Sequence, residues 1–323
     1  VKEILVVGGA GYIGSFVVRA LLDAGYKITV LDNLSSGHKE AIPSKVTLIE
    51  ADLADEKVVR DVAKGKDAAM LFSGLINVGE SVKEPWRYWK ENVVKMILFL
   101  EVASEIKNII FSSSAATYGV PQGELFETHE LKPVNPYGET KLAIEKYLEH
   151  LTIAKSINAV ALRYFNAAGG RADLGEDHKP ETHLIPNVIK AGLEGRPVTI
   201  FGSDYETKDG TCVRDYIHVE DLADAHLRAL TACLSAKIGF RPYNVGTGKG
   251  VSNLEVLKAT EDVLNRKIEC IMGERRAGDP PVLVANPNLI KKELSWEPKF
   301  TNIKDIISSA ALWHKNHPNG YLA

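Results

Sequence analysis

Two residues four apart frame the chemistry of this chain. Tyr137 and Lys141 stand in the stretch Asn135-Pro136-Tyr137-Gly138-Glu139-Thr140-Lys141. Pro136 suits the first turn of a helix and Asn135 can cap it. Side chains at i and i+4 then point from one helical face. A free tyrosine titrates at about 10 and is a poor base at neutral pH. An ammonium one turn away favours the phenolate, which can take a proton from a hydroxyl. The pair alone is weak evidence, because a chain with eleven tyrosines contains about one Tyr-x-x-x-Lys by chance. Just upstream, the apolar run Asn108–Ser112 leads into Ser112-Ser113-Ser114-Ala115-Ala116-Thr117-Tyr118-Gly119. In an open α/β sheet, ligands sit beyond the carboxyl ends of the strands, which is where this cluster falls. Ser114 can hydrogen-bond the same hydroxyl and orient its proton.

The N-terminus says what such a base would work with. Ile4 to Val7 is an apolar run suited to a buried parallel strand. Gly8, Gly11 and Gly14 follow with two residues between each, and from Ile13 to Leu22 the apolar residues recur at helical spacing. Strand, glycine turn and helix form the first half of a dinucleotide-binding unit. Gly8 permits the turn, Gly11 lets the backbone approach a pyrophosphate, and Gly14 lets the helix pack on the strand. The helix N-terminus offers N–H groups to the phosphates. The second strand ends in Asp32, placed to bind both hydroxyls of an adenosine ribose and to repel a 2′-phosphate. NAD is therefore expected over NADP. Lys141 and a positive nicotinamide together would have to lower the Tyr137 pKa by ~3 units, or about 4 kcal/mol.

The remaining pattern supplies the elements that position these groups. Strands are expected at Ile4–Val7, Ile28–Leu31, Val46–Glu50, Ala68–Phe72, Asn108–Ser112 and Asn158–Tyr164, with helices between most of them, including Met96–Glu105 and Lys141–Ala154. This alternation predicts an α/β fold with a Rossmann-type, doubly wound parallel sheet. After Asn166 the character changes. Ala167 through Pro180 reads as loop, Leu184–Glu194 as helix, Val198–Phe201 as strand, Leu222–Ala232 as helix and Pro242–Val245 as a strand returning to the main sheet. From Val251 follow a helix, a strand near Ile268–Ile271 and a terminal helix. The expected division is a dinucleotide-binding domain over 1–166, rejoined by about 215–246, and a smaller C-terminal α/β substrate domain over 167–214 and 247–323.

Composition excludes several classes. The 323 residues carry a formal net charge of −3, which gives no reason to expect nucleic acid or an anionic membrane as partner. No stretch is apolar enough to span a bilayer, and no signal-peptide pattern opens the sequence. Cys212, Cys233 and Cys270 form no Cys-x-x-Cys pair and read as reduced thiols of a cytoplasmic protein. The nine histidines show no His-Glu-x-x-His or similar ligand set, so no metal is expected.

With these features in place, the chain resembles the extended short-chain dehydrogenase/reductase family, in its branch acting on UDP-sugars, from Ile4 to Tyr321. The selective stretches are Gly74-Leu75 through Val78-Gly79-Glu80-Ser81, Leu162-Arg163-Tyr164-Phe165-Asn166, Val213-Arg214-Asp215-Tyr216-Ile217-His218 and Arg275-Arg276-Ala277-Gly278-Asp279. The resemblance implies an isomerase with tightly held NAD that inverts C4 of a UDP-hexose through a transient 4-keto sugar. Tyr137, Lys141 and Ser114 would be catalytic. The cofactor would touch Tyr12, Ile13, Asp32, Asn33, Asp52, Leu53, Phe72, Asn92, Tyr137, Lys141 and Tyr164, beside the three glycines. The UDP-sugar would meet Ser114, Asn166, His183, Leu184, Thr199, Phe201, Arg214, Arg276, Asp279 and Leu283. Arginine forks suit a diphosphate, though a salt-bridging role for Arg214 and Arg276 is as good a reading, and an aromatic such as Phe201 at a strand end is more often core. A homodimer through the helices of Met96–Glu105 and Lys141–Ala154 is also implied.

Five positions depart from the commonest pattern of that branch: Val7 for threonine, Leu71 for histidine, Ile76 for a lysine near the nicotinamide, His183 for asparagine, and Leu283 where a tyrosine or small residue borders the sugar. Acceptance of N-acetylated sugars is thus open, as are epimerisation or decarboxylation of UDP-glucuronate. A 4,6-dehydratase needs an acid and a base just after Ser114, where Ala115 and Ala116 stand. A non-catalytic NAD-binding regulator is opposed by the intact Ser114, Tyr137 and Lys141.

Overall fold

Along the first strand, alternate side chains enter different cores. Ile4 and Val6 pack with Val30, Met70, Ile110, Val160 and Leu162 on one face; Leu5 and Val7 pack with Leu31, Ala69, Leu71, Phe111 and Ala161 on the other. Both faces are apolar because a parallel sheet is covered by helices on each side. The structure is a computed structural model that describes residues 1–120, 123–276 and 279–321.

The strands in chain order are β1 (Glu3–Val7), β2 (Lys27–Asp32), β3 (Thr47–Glu50), β4 (Ala68–Leu71), β5 (Asn108–Ser114), β6 (Asn158–Tyr164), β7 (Asn166–Ala168), β8 (Val198–Phe201), β9 (Val213–His218), β10 (Phe240–Val245), β11 (Gly250–Ser252), β12 (Cys270–Gly273) and β13 (Val282–Leu283). The helices are α1 (Tyr12–Asp23), α2 (Glu56–Ala63), α3 (Val78–Lys83), α4 (Pro85–Trp89), α5 (Lys95–Val102), α6 (Pro136–Ala154), α7 (Leu184–Glu194), α8 (Val219–Ser235), α9 (Asn253–Leu264), α10 (Asn288–Leu294) and α11 (Ile303–Asn316). Among the described residues the main sheet has seven strands in the order β10-β6-β5-β4-β1-β2-β3, with every pairing parallel. The order reverses between β1 and β4, and the crevice at that switch point is where a doubly wound sheet binds ligands.

A second layer is built from short strands. β9 pairs with β7, β11 and β13, while β8 pairs with β12. Most of these were not legible in advance. Residues 166–168, expected to lie past the end of the Asn158–Tyr164 strand and to open a loop at Ala167, form β7, and β12 lies two residues later than expected. β7, β11 and β13 have only two or three residues, and the six-residue β9 carries inward polar groups such as Asp215, 0% exposed, so none shows an apolar alternation to detect.

The helix expected over Met96–Glu105 ends at Val102 and is preceded by a π turn over Lys90–Val94. Its Met96, Phe99 and Leu100 are buried within the subunit. The exposed apolar residues of this run are instead Trp86, Trp89, Val94 and Leu98. No helix among the described residues is long and apolar enough to cross a membrane.

One buried ion pair fixes α6 against the sheet. Arg163 of β6 and Glu145 of α6 are 3% and 1% exposed. Arg163 Nε donates to both carboxylate oxygens at 3.0 and 3.1 Å, and Nη2 donates to Oε2 at 2.6 Å. Its Nη1 donates to the Tyr118 hydroxyl at 3.0 Å, and that hydroxyl donates to Asn244 Oδ1 of β10 at 2.7 Å. Ser113 of β5 donates to the same carboxylate. Removing one partner would strand the other charge in the interior. Arg163→Ala is expected to lower the unfolding free energy by about 3–5 kcal/mol. A urea transition showing a loss below ~1 kcal/mol would show that the pair is not the clamp described here.

Candidate active site

The glycine turn is demanding at two of its three positions. Gly8 has φ of 75°, and a Cβ there would stand 2.5 Å from Ser73 N, beyond the end of β4. A Cβ on Gly14 would lie 2.4 Å from Gly8 O, so α1 rests directly on the turn. At Gly11 a Cβ would meet only Gly8 O, at an ordinary 3.5 Å. The chain's own packing does not require glycine there, which fits a backbone left bare for a ligand. Gly11 also caps α1 without any side-chain bond, so α1 presents first-turn N–H groups of the kind that bind phosphate.

Asp32 sits across this turn. Its Oδ2 accepts from Ala10 N and its Oδ1 from Leu34 N, both at 2.9 Å. Burial pushes its pKa up, and the two backbone bonds oppose the rise. Asn33 Nδ2 donates to Asp52 at 3.3 Å, and Lys95 Nζ donates to the same oxygen at 2.8 Å. Burial works against the Asp52 charge, but Lys95, Ala54 N and Asn33 hold its carboxyl below the ordinary range. The Leu53 side chain belongs to the core beside Leu31 and Val59. Tyr12 and Ile13 are partly buried at the start of α1, and the Tyr12 hydroxyl donates to Gly169 O at 2.7 Å.

At the β4 end, Phe72 N donates to Val7 O at 2.8 Å. The rings of Phe72 and Tyr164 lie 4.8 and 5.9 Å from that of His226. His226 was not singled out in the sequence; it is fully buried, and burial brings its pKa down to about 4, so it is neutral at pH 7. Asn92 occupies the π turn, where the extra residue sets its amide against the neighbouring loop. Its Oδ1 accepts from Leu75 N at 2.7 Å, and its Nδ2 donates to Leu75 O at 3.0 Å and Thr140 Oγ1 at 3.2 Å. Asn92 therefore fixes the Gly74–Leu75 loop to α6. Of the five departures, Val7 and Leu71 are core, whereas Ile76 is 41% exposed.

Tyr137, Lys141 and Ser114 converge at the end of β5. Asn135 Oδ1 accepts from Gly138 N at 2.9 Å, capping α6 as its sequence predicts. Gly138 was missed as a requirement: a Cβ there would sit 2.5 Å from Ala116 O, so only glycine lets α6 press onto the turn after Ser114. Ser114 Oγ accepts from Ala116 N at 3.1 Å. Lys141 Nζ donates to Ser112 O at 2.8 Å and lies 5.8 Å from the centre of the Tyr137 ring. The expected lowering of the tyrosine relies on a positive nicotinamide as well as Lys141. In the chain itself burial raises the Tyr137 phenol above its ordinary value, and hydrogen bonding with Ser114 only opposes this. Burial also lowers Lys141 to about 8, against the pull of Glu145.

The residues expected to meet a sugar nucleotide line the second layer. On β8, Val198 and Ile200 are buried while Thr199 and Phe201 take the other face. Phe201 is thus not core, and the Arg276 guanidinium lies 4.1 Å from its ring centre. Arg214 is held by Val213 O and Pro280 O, at 2.9 and 2.8 Å, and sits 3.6 Å from Asp279. Ala277 and Gly278, part of the expected motif here, lie outside the described residues. Leu283 packs with Ala115 and Phe165, Asn166 pairs with Tyr216, and Leu184 opens α7.

His183 sits among carboxylates. Its Nδ1 faces Glu176 at 2.5 Å and Glu181 at 3.4 Å. Burial opposes its charge, but the two carboxylates raise its pKa to about 10. The histidine spacing shows no metal-ligand set, but the fold brings one possible group together. Glu176, His178, Glu181 and His183 bring one ligand atom each within 4.8 Å of one another.

Comparison with known proteins agrees with this geometry. The model of the "NAD dependent epimerase/dehydratase family" matches residues 4–246. A UDP-glucose 4-epimerase of Lactobacillus helveticus is 46% identical over 327 residues, covering 99% of each chain. The crystal structure of UDP-glucose 4-epimerase from Bifidobacterium longum in complex with NAD+ and UDP superposes with a TM-score of 0.93 at 36% identity, covering 99% of this chain and 100% of that one. The UDP-Glc/GlcNAc 4-epimerase of Campylobacter jejuni gives a TM-score of 0.86 at 38% identity, covering 98% and 99%.

The buried lysine has a measurable signature. Its pKa is about 8 when folded against an ordinary 10.5, so the unfolded chain holds that proton more tightly. The folded state is penalised below pH 8, and the penalty fades as pH rises from 8 to 10.5. Lys141→Met should therefore gain on wild type at pH 7, and the gain should shrink by about 3 kcal/mol by pH 10.5. Paired urea titrations with a pH-independent difference would refute the shifted lysine.

Proposed function

Because the chain belongs to the NAD dependent epimerase/dehydratase family, we propose that it interconverts UDP-glucose and UDP-galactose by inverting C4 of the hexose, with NAD as resident cofactor. The observation that carries this reading is the convergence of Tyr137, Lys141 and Ser114 on the carboxyl edge of the sheet that also bears the glycine turn. Gly8, Gly11, Tyr12, Ile13 and Gly14 would hold the pyrophosphate region and Asp32 the adenosine ribose. Asn33, Asp52, Leu53, Phe72, Asn92, Lys141 and Tyr164 would complete the cradle. Asp32 carries a carboxylate where a 2′-phosphate would have to sit, which favours NAD over NADP.

Bound NAD would supply the acceptor for the C4 hydride and a positive ring whose field favours the Tyr137 phenolate. The chain's own groups do the proton chemistry. The Tyr137 oxygen takes the proton of the sugar's 4-hydroxyl as the hydride leaves, and Ser114 hydrogen-bonds the same oxygen. The 4-keto sugar would turn over and take hydride back on its other face, and Tyr137 would give the proton back. Arg214, Arg276 and Asp279 would anchor the UDP while only the sugar moves, so remote binding energy restrains a loosely held reacting centre. Ala115 and Ala116 can serve as neither acid nor base, which weighs against a dehydratase. We read the working species as a cytoplasmic homodimer, supported by the exposed Trp86, Trp89, Val94 and Leu98 along one helical run and Ile153 of α6.

Purified protein given UDP-galactose and no added cofactor should form UDP-glucose; bound NAD with no change in any UDP-sugar would leave only a cofactor-binding role. Tyr137→Phe should retain NAD yet lose at least ~10³-fold in kcat, whereas near-wild-type turnover would remove the tyrosine from the mechanism. Leu283 borders the space beside Ala115 and Phe165, so Leu283→Tyr should exclude bulky sugars. Its kcat/KM for UDP-N-acetylglucosamine should fall about tenfold more than for UDP-galactose; equal losses would place Leu283 away from the N-acetyl group.

A further inference from the structure

The segment joining β7 to α7 contains the spacing Glu176-x-His178-x-x-Glu181-x-His183, which the epimerase chemistry does not use. It is fixed from several sides. Glu176 O accepts from Trp313 Nε1 at 3.1 Å, and Gly175 packs so closely on that indole that a Cβ would lie 2.2 Å from it. Tyr12 of the glycine turn meets the His178 ring edge-on at 6.4 Å. The four side chains turn toward one another. His178 Nδ1 lies 3.1 Å from Glu176 Oε1 and 3.9 Å from Glu181 Oε1. His183 Nδ1 lies 2.5 and 3.4 Å from the same two oxygens.

These contacts lack hydrogen-bond geometry. Glu176 Oε1, His178 Nδ1, His183 Nδ1 and Glu181 Oε2 are buried atoms without a hydrogen-bond partner. The two carboxylate side chains are only 5% and 7% exposed. Buried polar atoms left without partners at that depth are costly. A cation among them would give each a partner. Ligands at about 2.0–2.2 Å from a tetrahedral metal stand about 3.3 Å apart, close to the separations of 3.1 and 3.4 Å, and the other pairs lie within 4.8 Å. Two imidazoles with two carboxylates favour a first-row divalent ion over the all-oxygen sites of calcium or magnesium. A cleft of about 460 Å³ lined by His178, Asp177, Lys179 and Lys190 offers an entry path.

We propose that Glu176, His178, Glu181 and His183 bind one divalent transition-metal ion, with Zn²⁺ as the best match, which braces the segment between the glycine turn and Leu184. The ion does no chemistry on the sugar; it holds one wall of the cleft in place.

The test uses the full-length, untagged protein, treated with a chelator and desalted. Titration with ZnCl₂ should show one site per chain and raise the melting temperature, while MgCl₂ should leave it unchanged. Co²⁺ should give the visible absorption of a tetrahedral ion. His178→Gln and Glu181→Gln, each checked for folding by circular dichroism, should each weaken Zn²⁺ binding at least tenfold. Wild-type protein that binds no Zn²⁺ would show a metal-free histidine–carboxylate cluster and overturn the proposal. So would either folded variant binding Zn²⁺ as tightly as wild type. NAD content and epimerase turnover are read separately, so failure here leaves the functional reading untouched.

Discussion

The working geometry depends on a charge buried where charges are expensive. Glu145 stands one helical turn past Lys141, which stands one turn past Tyr137, so the three share the face of α6 that meets the sheet. Arg163 takes hold of Glu145 from β6, and Ser113 does so from β5. Such a pair is no general source of stability; its desolvation offsets most of its attraction. What it supplies is position, because the guanidinium accepts its partners only in a fixed plane. Ser114 follows Ser113 directly. The pair that seats α6 therefore also sets the distance between the serine and the tyrosine.

That seating has an electrostatic consequence. Burial moves both members of the tyrosine–lysine pair toward their neutral forms, the phenol upward and the ammonium down to about 8. A dry site strengthens any charge brought into it. The protein thus holds a base whose activation depends on what binds beside it, which suits a reaction in which reducing equivalents must leave and return within one cleft.

The sugar-nucleotide side is built differently. Its groups come from short strands and from loops between them, and they are pre-positioned by backbone carbonyls and aromatic faces. Arg214 is fixed by two carbonyls, and Arg276 lies over Phe201. Asp215, between the two layers, accepts from Thr247, Gly248 and Ala285. Its burial raises its pKa, and these donors oppose that rise. The layer bearing the arginines is thereby tied to the strand that returns to the main sheet.

The sequence by itself determined whatever depends on local pattern. Apolar runs of branched residues gave the six N-terminal strands of the sheet, because a strand buried on both faces must be apolar throughout. The glycine spacing, Asp32, the Asn135-Pro136 helix start and the Tyr137–Lys141 pair are each set by neighbours a few residues away. The tertiary structure decided what depends on contact between distant segments. Only packing shows that Gly138 is needed against Ala116, that Leu53, Met96 and Phe99 are core, and that β9 gathers three short strands about Asp215. Only packing reveals that burial alone raises Tyr137, since desolvation is a property of everything that surrounds a group. The Glu-x-His repeat of residues 176–183 was visible as letters. Its meaning required seeing four side chains turn inward together, because ligand geometry is fixed by backbone direction and not by spacing alone.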